Sequence, residues 1–339
     1  MLADLPPQQG HSWFHQMSLH RIGGGIRYPR AAEPCQELSV SPVRKRTQVL
    51  ERGKGNRTFG LLRAPLPMPM PSALPALFRA SHPGPTIAVT ALTALLAMAA
   101  GHSLRTGLVV TGAVAAGQLT IGWSNDVIDA GRDRQVGRAD KPVARGEVSE
   151  ARVRRMIAAA TAACLILSLA CGLASACVHL LLVVGSGWAY NVGLKRAAWS
   201  GLPYAVAFGA LPAVITLALP DPQWPPVWMM AAGALLGVGA HLLNALPDLA
   251  DDAQTGVCGL PHRLGARRLR WLAPLVLTVA SVVAAFGPAA GTAMWAWVPL
   301  GLCVVLAVVA MCGRGRVPFA AAVCIAAVDV VGLVVHGAA

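Results

Sequence analysis

Hydrophobic positions run in long stretches through most of this chain, from about residue 83 to its end. Windows of about 17–25 residues with few charges are typical of membrane-spanning helices. Such windows occur at about 83–101, 106–123, 156–173, 175–193, 201–219, 226–246, 271–287, 292–312 and 317–336. These are too many for the core helices of a soluble protein of this size. The pattern therefore predicts an all-α polytopic membrane protein, a bundle of nine transmembrane helices over residues 73–339.

The basic residues predict the orientation of this bundle. Every Lys and Arg except Arg105 lies before the first window or after the second, fourth, sixth or eighth. Cytoplasmic loops are rich in Lys and Arg, so the N-terminus is expected in the cytoplasm and the C-terminus outside. With the Ala-, Arg- and Gly-rich composition, we expect a multi-pass protein of a bacterial cell membrane.

Composition changes this picture only at the N-terminus. Residues 1–72 are polar and rich in Pro, Gly and Arg, and they are expected to form a disordered basic tail. The chain has 28 Lys and Arg against 15 Asp and Glu, a net charge of +13. Membrane topology and the basic tail account for this excess, so we expect the lipid bilayer as a partner and no nucleic acid.

Acidic residues are grouped in two of the predicted cytoplasmic segments. Asn125, Asp129 and Asp133 repeat every four residues after the second window, and Asn244, Asp248 and Asp252 do so after the sixth. On a helix this spacing puts each set on one face, with about 6 Å of rise between neighbours. Asp126 lies near the first of these faces. We call the two sets the first and second acidic ladders.

Carboxylates this close repel one another unless cations lie between them. Ligand sets made only of oxygen suit Mg²⁺, which keeps several waters and shares its ligands with phosphate groups. Arg138 and Lys141 follow the first ladder, and Lys195 follows the fourth window. Acids, metal and basic groups at the mouth of membrane helices predict a site for a polyphosphate headgroup whose apolar tail lies in the bilayer.

The segment Asn125-Asp-Val-Ile-Asp129-Ala-Gly-Arg-Asp133 resembles the first Asp-rich motif of the UbiA superfamily of intramembrane prenyltransferases. The second ladder resembles that family's second motif, although Asn244 is followed by Ala where many members have Asp. Residues 259–265 and the element from Tyr190 to Lys195 are also similar to family segments. The resemblance covers about residues 75–339 and implies nine helices around a central cavity open to lipid.

The resemblance also implies a role for each site residue. Asp126, Asp129, Lys141 and Lys195 would be catalytic, and Asn125, Arg138, Asn244 and Tyr190 would help to bind the prenyl diphosphate. The expected Mg²⁺ ligands are Asp126, Asp129, Asp133, Asp248, Asp251 and Asp252. The reaction would transfer the isoprenoid chain to a small acceptor, in most cases aromatic. Trp123 is a candidate ring for stabilising the allylic cation.

Two other functions stay open on the sequence alone. An intramembrane terpene cyclase of the same superfamily would use the same metals and the same cation without an acceptor. A cation transporter is a more distant alternative, because acidic residues at a pore mouth also select Mg²⁺. That function predicts acids at the midplane or at both mouths, whereas both ladders are predicted on one face of the membrane.

Overall fold

The computed structural model describes residues 73–287 and 296–335. Within these two ranges the chain forms helices and turns and contains no strand, as the hydrophobic pattern predicts. The tail predicted over residues 1–72 lies outside the described residues.

The helices follow one another with short connections. The first four are α1 (Ala73–Ala80), α2 (Pro83–Ala99), α3 (Leu104–Gln135) and α4 (Glu150–Ala170). A π-helical turn, Val178–Val184, joins α5 (Leu173–Cys177) to α6 (Gly185–Val192), and a 3₁₀ turn, Leu194–Arg196, follows. The remaining helices are α7 (Leu202–Thr216), α8 (Val227–Ala245), α9 (Leu249–Gln254), α10 (Leu260–Phe286), α11 (Trp297–Cys312) and α12 (Val317–Val335).

Each apolar window falls on one of these helices, with α5, the π-helical turn and α6 together forming the fourth. Among the described residues, five helices are long and apolar enough to cross a membrane, or six if α1 and α2, bent by 66°, form one span. Leu202–Thr216, Trp297–Cys312 and Val317–Gly332 are shorter apolar helices. The all-helical membrane class is therefore supported, while the count of nine crossings stays a prediction.

The apolar helices pack in chain order and close on themselves. α3 packs against both α2 and α4, α8 packs between α7 and α10, and α11 packs against α10 and α12. α12 also packs against α2, which closes the bundle. Apolar side chains of α2, α3 and α7 form one core cluster, and those of α8, α10, α11 and α12 form another.

The two acidic ladders differ in backbone structure. α3 continues without a break through Asn125, Asp129 and Asp133, as predicted. The second ladder is not one helix, which corrects the prediction: α8 ends at Ala245, a turn follows, and α9 begins at Leu249. Pro247 lacks the N–H that would continue the ladder of i to i−4 hydrogen bonds. Asp248 N instead donates to the Ala245 carbonyl, three residues back, at 3.2 Å.

Candidate functional site

The first ladder occupies the last turns of α3. Asp126, Asp129 and Asp133 are all buried, with 1%, 4% and 3% of their surface exposed. A buried carboxylate is costly unless it is paired or hydrogen-bonded, so the neighbours of these three groups determine what the site can bind.

Two cations neutralise Asp129. Lys195 Nζ contacts Asp129 Oδ1, and Arg132 Nη2 lies 2.9 Å from Asp129 Oδ2. The Arg132 Nε atom lies 3.9 Å from Asp133 Oδ1. Burial lowers the pKa of Lys195, and the neighbouring carboxylate of Asp129 opposes that shift. The predicted grouping of Lys195 with the first ladder is therefore present in the structure.

A close contact between two loops positions Lys195. A Cβ atom at Gly259 would lie 2.4 Å from the Lys195 carbonyl oxygen, so only glycine allows this approach. Ser200 Oγ accepts a hydrogen bond from Leu260 N at 2.9 Å and ties the same two loops together. These contacts fix the 3₁₀ turn that carries Lys195 at the mouth of the bundle.

Lys141 neutralises Asp126 from the loop that follows α3. Its Nζ lies 3.2 Å from Asp126 Oδ1 and donates a hydrogen bond of 3.2 Å to Asn125 Oδ1. The Val143 backbone N–H donates to Asp126 Oδ2 at 3.3 Å. Asn125 Nδ2 in turn donates to Asn191 Oδ1 on α6 at 3.2 Å. This network brings the predicted residues Asn125, Asp126 and Lys141 together.

Arg138 connects the first ladder's loop to the second acidic segment. Its guanidinium donates two hydrogen bonds to Asp140, at 2.9 and 3.0 Å, and its Nη2 lies 3.3 Å from Asp248 Oδ1. The Arg138 guanidinium lowers the pKa of Asp140 to about 2, and its hydrogen bond to Asp140 raises the pKa of Arg138 above its usual range. Arg138 thus bridges the two acidic segments.

The other residues of the second segment are less enclosed. Asp252 Oδ2 lies 3.7 Å from His262 Nε2, and burial raises the pKa of Asp252 to about 6. Asp251 is exposed, and its backbone carbonyl accepts a hydrogen bond from Thr255 Oγ1 at 3.2 Å. Asn244 is exposed at the end of α8. The structure therefore supports Asp248 and Asp252 as members of the site more directly than Asp251.

An open cavity of about 280 Å³ lies beside the first ladder. Its lining includes Asp133, Arg134, Arg138 and Arg145. Asp133 Oδ2 is buried and has no hydrogen-bond partner among the described residues. The arginines already pair with acidic side chains, so the Oδ2 atom of Asp133 is the group here that a bound cation would satisfy.

Aromatic rings pack around the predicted residue Tyr190. Its ring meets Tyr204 edge-on at 5.2 Å and His241 at 5.6 Å. Tyr204 is stacked with Phe208 at 6.4 Å and lies 4.6 Å from the His241 ring. His241 is anchored through Nε2, which lies 3.1 Å from Ser200 Oγ. Since Ser200 also ties down the loop after Lys195, the aromatic cluster is connected to the charged residues.

The structure adds four polar residues that the motif reasoning did not assign to the site: Arg132, Asn191, His262 and His82. Arg132 lies between the carboxylates of Asp129 and Asp133. Its position three residues after Asp129 was the one sequence feature that could have predicted this contact. Asn191 and His262 lie inside segments that resemble the family. His82 comes from before the first window, and no sequence spacing connects it to the ladders.

Trp123, the candidate ring for the allylic cation, also has a structural role. Its indole is buried in a cluster with Leu77, Val127 and Val143. Its Nε1 donates a hydrogen bond of 2.9 Å to the Leu77 carbonyl on α1. Trp123 therefore anchors α1 to α3, and the rings around Tyr190 are further candidates for contact with a cation.

The ligand chemistry of the ladders fits Mg²⁺ bound together with a phosphate group. Among the described residues, no three His, Cys, Asp or Glu side chains already converge as a metal site. Magnesium sites of this kind need only one or two carboxylates, because water and substrate phosphates complete the coordination. The free Oδ2 atom of Asp133 and the ladder's other carboxylates supply such ligands.

Comparisons with known proteins identify the family and the fold. The sequence model of the UbiA prenyltransferase family matches residues 86–326. The apo structure of a UbiA homologue from Aeropyrum pernix K1 is 18% identical with a TM-score of 0.63, covering 75% of this chain and 98% of that chain. A UbiA homologue from Archaeoglobus fulgidus bound to GPP and Mg²⁺ is 15% identical with a TM-score of 0.57, covering 78% and 99%.

A structure described as digeranylgeranylglyceryl phosphate synthase is 15% identical with a TM-score of 0.56, covering 78% of this chain and 98% of that chain. A comparison with curated proteins gave no match. At these identities the structural likeness supports the fold, while the family match extends over most of the chain and includes both acidic ladders. The chain belongs to the UbiA prenyltransferase family.

Proposed function

We propose that this chain is a Mg²⁺-dependent intramembrane prenyltransferase, which transfers an isoprenoid chain from a prenyl diphosphate to a small, preferably aromatic, acceptor. One observation carries the proposal: three buried carboxylates of α3 face the cations of Lys141, Lys195 and Arg132 at the end of an apolar bundle. The Archaeoglobus fulgidus homologues bound to GPP or DMAPP with Mg²⁺ support the same type of substrate.

Asp126, Asp129 and Asp133 would hold one Mg²⁺ cluster, and Asp248 and Asp252 would hold a second. Bound Mg²⁺ supplies positive charge that stabilises the diphosphate as a leaving group. The exposed carboxylate of Asp251 is a further ligand of the second cluster in this proposal.

The basic residues hold the diphosphate where negative charge develops. Lys141, Lys195 and Arg138 already lie against ladder carboxylates, so their positions are set before substrate arrives. Groups that are fixed in advance do not have to reorganise during the reaction, and this is the main source of electrostatic catalysis. Asn125 and Asn244 help to orient the bound diphosphate.

The bond between C1 of the isoprenoid and the diphosphate oxygen breaks, and its electron pair leaves with the diphosphate. The apolar helices exclude water, which would otherwise capture the allylic cation. The aromatic cluster around Tyr190 would stabilise a cation that approaches one of its ring faces, a contact worth about 0.5–2 kcal/mol. An electron-rich carbon of the acceptor then supplies the pair for the new bond and loses its proton.

Diphosphate release by the purified protein tests the proposal. Geranylgeranyl diphosphate and shorter donors are incubated with Mg²⁺, first without an acceptor and then with a panel of aromatic acids, and the apolar products are analysed. Release that requires an acceptor and yields a prenylated product supports the transferase. Release without an acceptor, yielding a cyclic hydrocarbon, replaces it with the cyclase.

Two matched variants control this assay. Asp126→Ala removes a buried ladder carboxylate, and release is expected to be lost. Asp221→Ala removes an exposed carboxylate from the loop between α7 and α8, where Asp221 contacts Gln223, and release is expected to persist. Release that survives Asp126→Ala would exclude this account of the site.

A further inference from the structure

The break between α1 and α2 forms an elbow, Ser81-His82, that lies directly on α3. A Cβ atom at Gly122 would lie 2.2 Å from the Ser81 carbonyl oxygen, so the missing side chain allows the two backbones to touch. Ser81 itself is buried. The hydrogen bond from Trp123 to the Leu77 carbonyl holds the preceding turn of α1 on the same helix. Gly122 lies one helical turn before Asp126, so the elbow sits beside the first ladder.

The residue at the corner of this elbow has an unusual backbone conformation. His82 has φ 54° and ψ 63°, and it is the single non-glycine residue with positive φ among the described residues. This left-handed conformation is strained for most side chains, and strain of this kind is concentrated at functional sites. The conformation directs the imidazole toward the ladder, where His82 Nε2 lies 3.9 Å from Asp126 Oδ1.

The imidazole contacts the ammonium group of Lys141. The distance from Lys141 Nζ to His82 Nε2 is 3.0 Å. An ammonium group only donates hydrogen bonds, so Nε2 must accept, and the ring is neutral with its proton on Nδ1. His82 and Asn125 present two acceptors to Nζ, and the carboxylate of Asp126 pairs with its charge at 3.2 Å. Lys141 is thereby fixed in both position and direction.

We propose that His82 is a positioning residue of the diphosphate site: by accepting a hydrogen bond from Lys141, it holds the ammonium against the first ladder. This inference rests on the proposed function, because Lys141 is assigned to the diphosphate. The family match begins at residue 86, so the elbow lies before the matched segment. In this chain the site therefore extends to a residue outside the Asp-rich motifs.

Binding of Mg²⁺ with inorganic diphosphate to the full-length protein provides a test that does not depend on turnover. Loss of one hydrogen bond to a charged group predicts that His82→Ala weakens diphosphate binding about tenfold, measured by calorimetry in detergent. His82→Gln keeps an acceptor at similar reach and is expected to recover part of this loss. In turnover assays, KM for the donor should rise more than kcat falls.

A double-mutant cycle separates positioning from a general loss of structure. If His82 acts through Lys141, His82→Ala should add less than twofold to the loss already caused by Lys141→Met. Additive losses in the cycle would overturn the inference, and so would wild-type affinity of the His82→Ala variant. His102, in the turn between α2 and α3, is the matched control. Its ring forms hydrogen bonds with Thr106 Oγ1 and with the Ile215 carbonyl of α7, away from the ladder loop.

His102→Ala is expected to lower thermal stability without weakening diphosphate binding. If it weakens binding as much as His82→Ala does, the effect of His82 is a general loss of structure and the inference fails. The proposed function fails separately, in the wild-type protein, if that protein neither binds nor releases diphosphate. Wild-type binding together with an unaffected His82→Ala variant refutes only the positioning role.

Discussion

Replacing Gly122 with alanine tests whether the elbow packs directly against α3 at this position. The sign of the change in the free energy of unfolding decides between contact and open space. In a helix interior, Gly→Ala ordinarily stabilises by about 0.5–1 kcal/mol, because glycine loses more conformational entropy on folding. At Gly122, however, the new Cβ would lie 2.2 Å from the Ser81 carbonyl oxygen. Overpacking a well-packed position costs about 1–3 kcal/mol. We therefore expect Gly122→Ala to destabilise the protein.

The same contact gives the size of the movement. The separation must grow by about 0.8 Å to reach 3.0 Å, below which real Cβ contacts essentially never occur. If the elbow moves away from α3 by this amount, the 3.0 Å distance from Lys141 Nζ to His82 Nε2 grows by up to about 0.8 Å, to at most about 3.8 Å, where the hydrogen bond is lost. Diphosphate binding should then weaken by at most the factor expected for His82→Ala.

Thermal unfolding in detergent and calorimetry with Mg²⁺ and inorganic diphosphate measure the two effects. Gly131 is the matched control for stability, because it also lies inside α3 and a Cβ there would meet nothing within 4 Å. Gly131→Ala is expected to raise the unfolding temperature while Gly122→Ala lowers it. If Gly122→Ala is as stabilising as Gly131→Ala and binding is unchanged, the elbow does not rest on Gly122 and the reasoning is refuted.

Four further predictions concern the charged residues and their ligands. Asp129→Asn should reduce the initial rate of diphosphate release at least a hundredfold. Asp252→Asn should reduce this rate more than Asp251→Asn does, because Asp251 is exposed, and equal losses for the two variants would contradict the ranking. The lowered pKa of Asp140 means that its pairing with Arg138 stabilises the fold above the ordinary carboxyl pKa and is lost only as the pH falls toward about 2. The stability difference between wild type and Asp140→Asn should therefore be the same at pH 5 and pH 8, and a difference that disappears by pH 5 would refute the assignment. Mg²⁺ and diphosphate added together should raise the unfolding temperature by more than the sum of their separate effects, and EDTA should remove that excess; simple additivity would show that the two bind independently.

The sequence was sufficient for features that depend on local periodicity. The apolar windows predict the helices, and the four-residue spacing of Asn125, Asp129 and Asp133 predicts their common helix because nothing between them interrupts the hydrogen-bond ladder. The same spacing failed between Asn244 and Asp252, since Pro247 breaks the backbone pattern. The resemblance to the second motif identified the acidic residues but did not predict the turn between α8 and α9 that separates them.

The parts of the site that the sequence did not predict depend on contacts between distant segments. The elbow at His82 meets α3 through a glycine 40 positions later, and the break between α1 and α2 bends the chain by 66°. A contact between segments this far apart in the chain leaves no periodic pattern in the sequence. The anchoring contact of Trp123 is of the same kind, because its hydrogen bond to the Leu77 carbonyl joins two helices that no sequence spacing connects. Long-range packing, more than local propensity, determines which side chains surround the ladder.

The charge balance of the site explains why Mg²⁺ and diphosphate should bind together. In the first ladder, three carboxylates face three cations, from Lys141, Lys195 and Arg132, so the buried group is close to neutral as it stands. Mg²⁺ alone would have to compete with ammonium and guanidinium groups for the same oxygens. Diphosphate alone would have to draw those cations from their carboxylates, which would leave buried charges unpaired. With both bound, the carboxylates would hold Mg²⁺ and the basic groups would hold diphosphate, so that every buried charge would keep a partner.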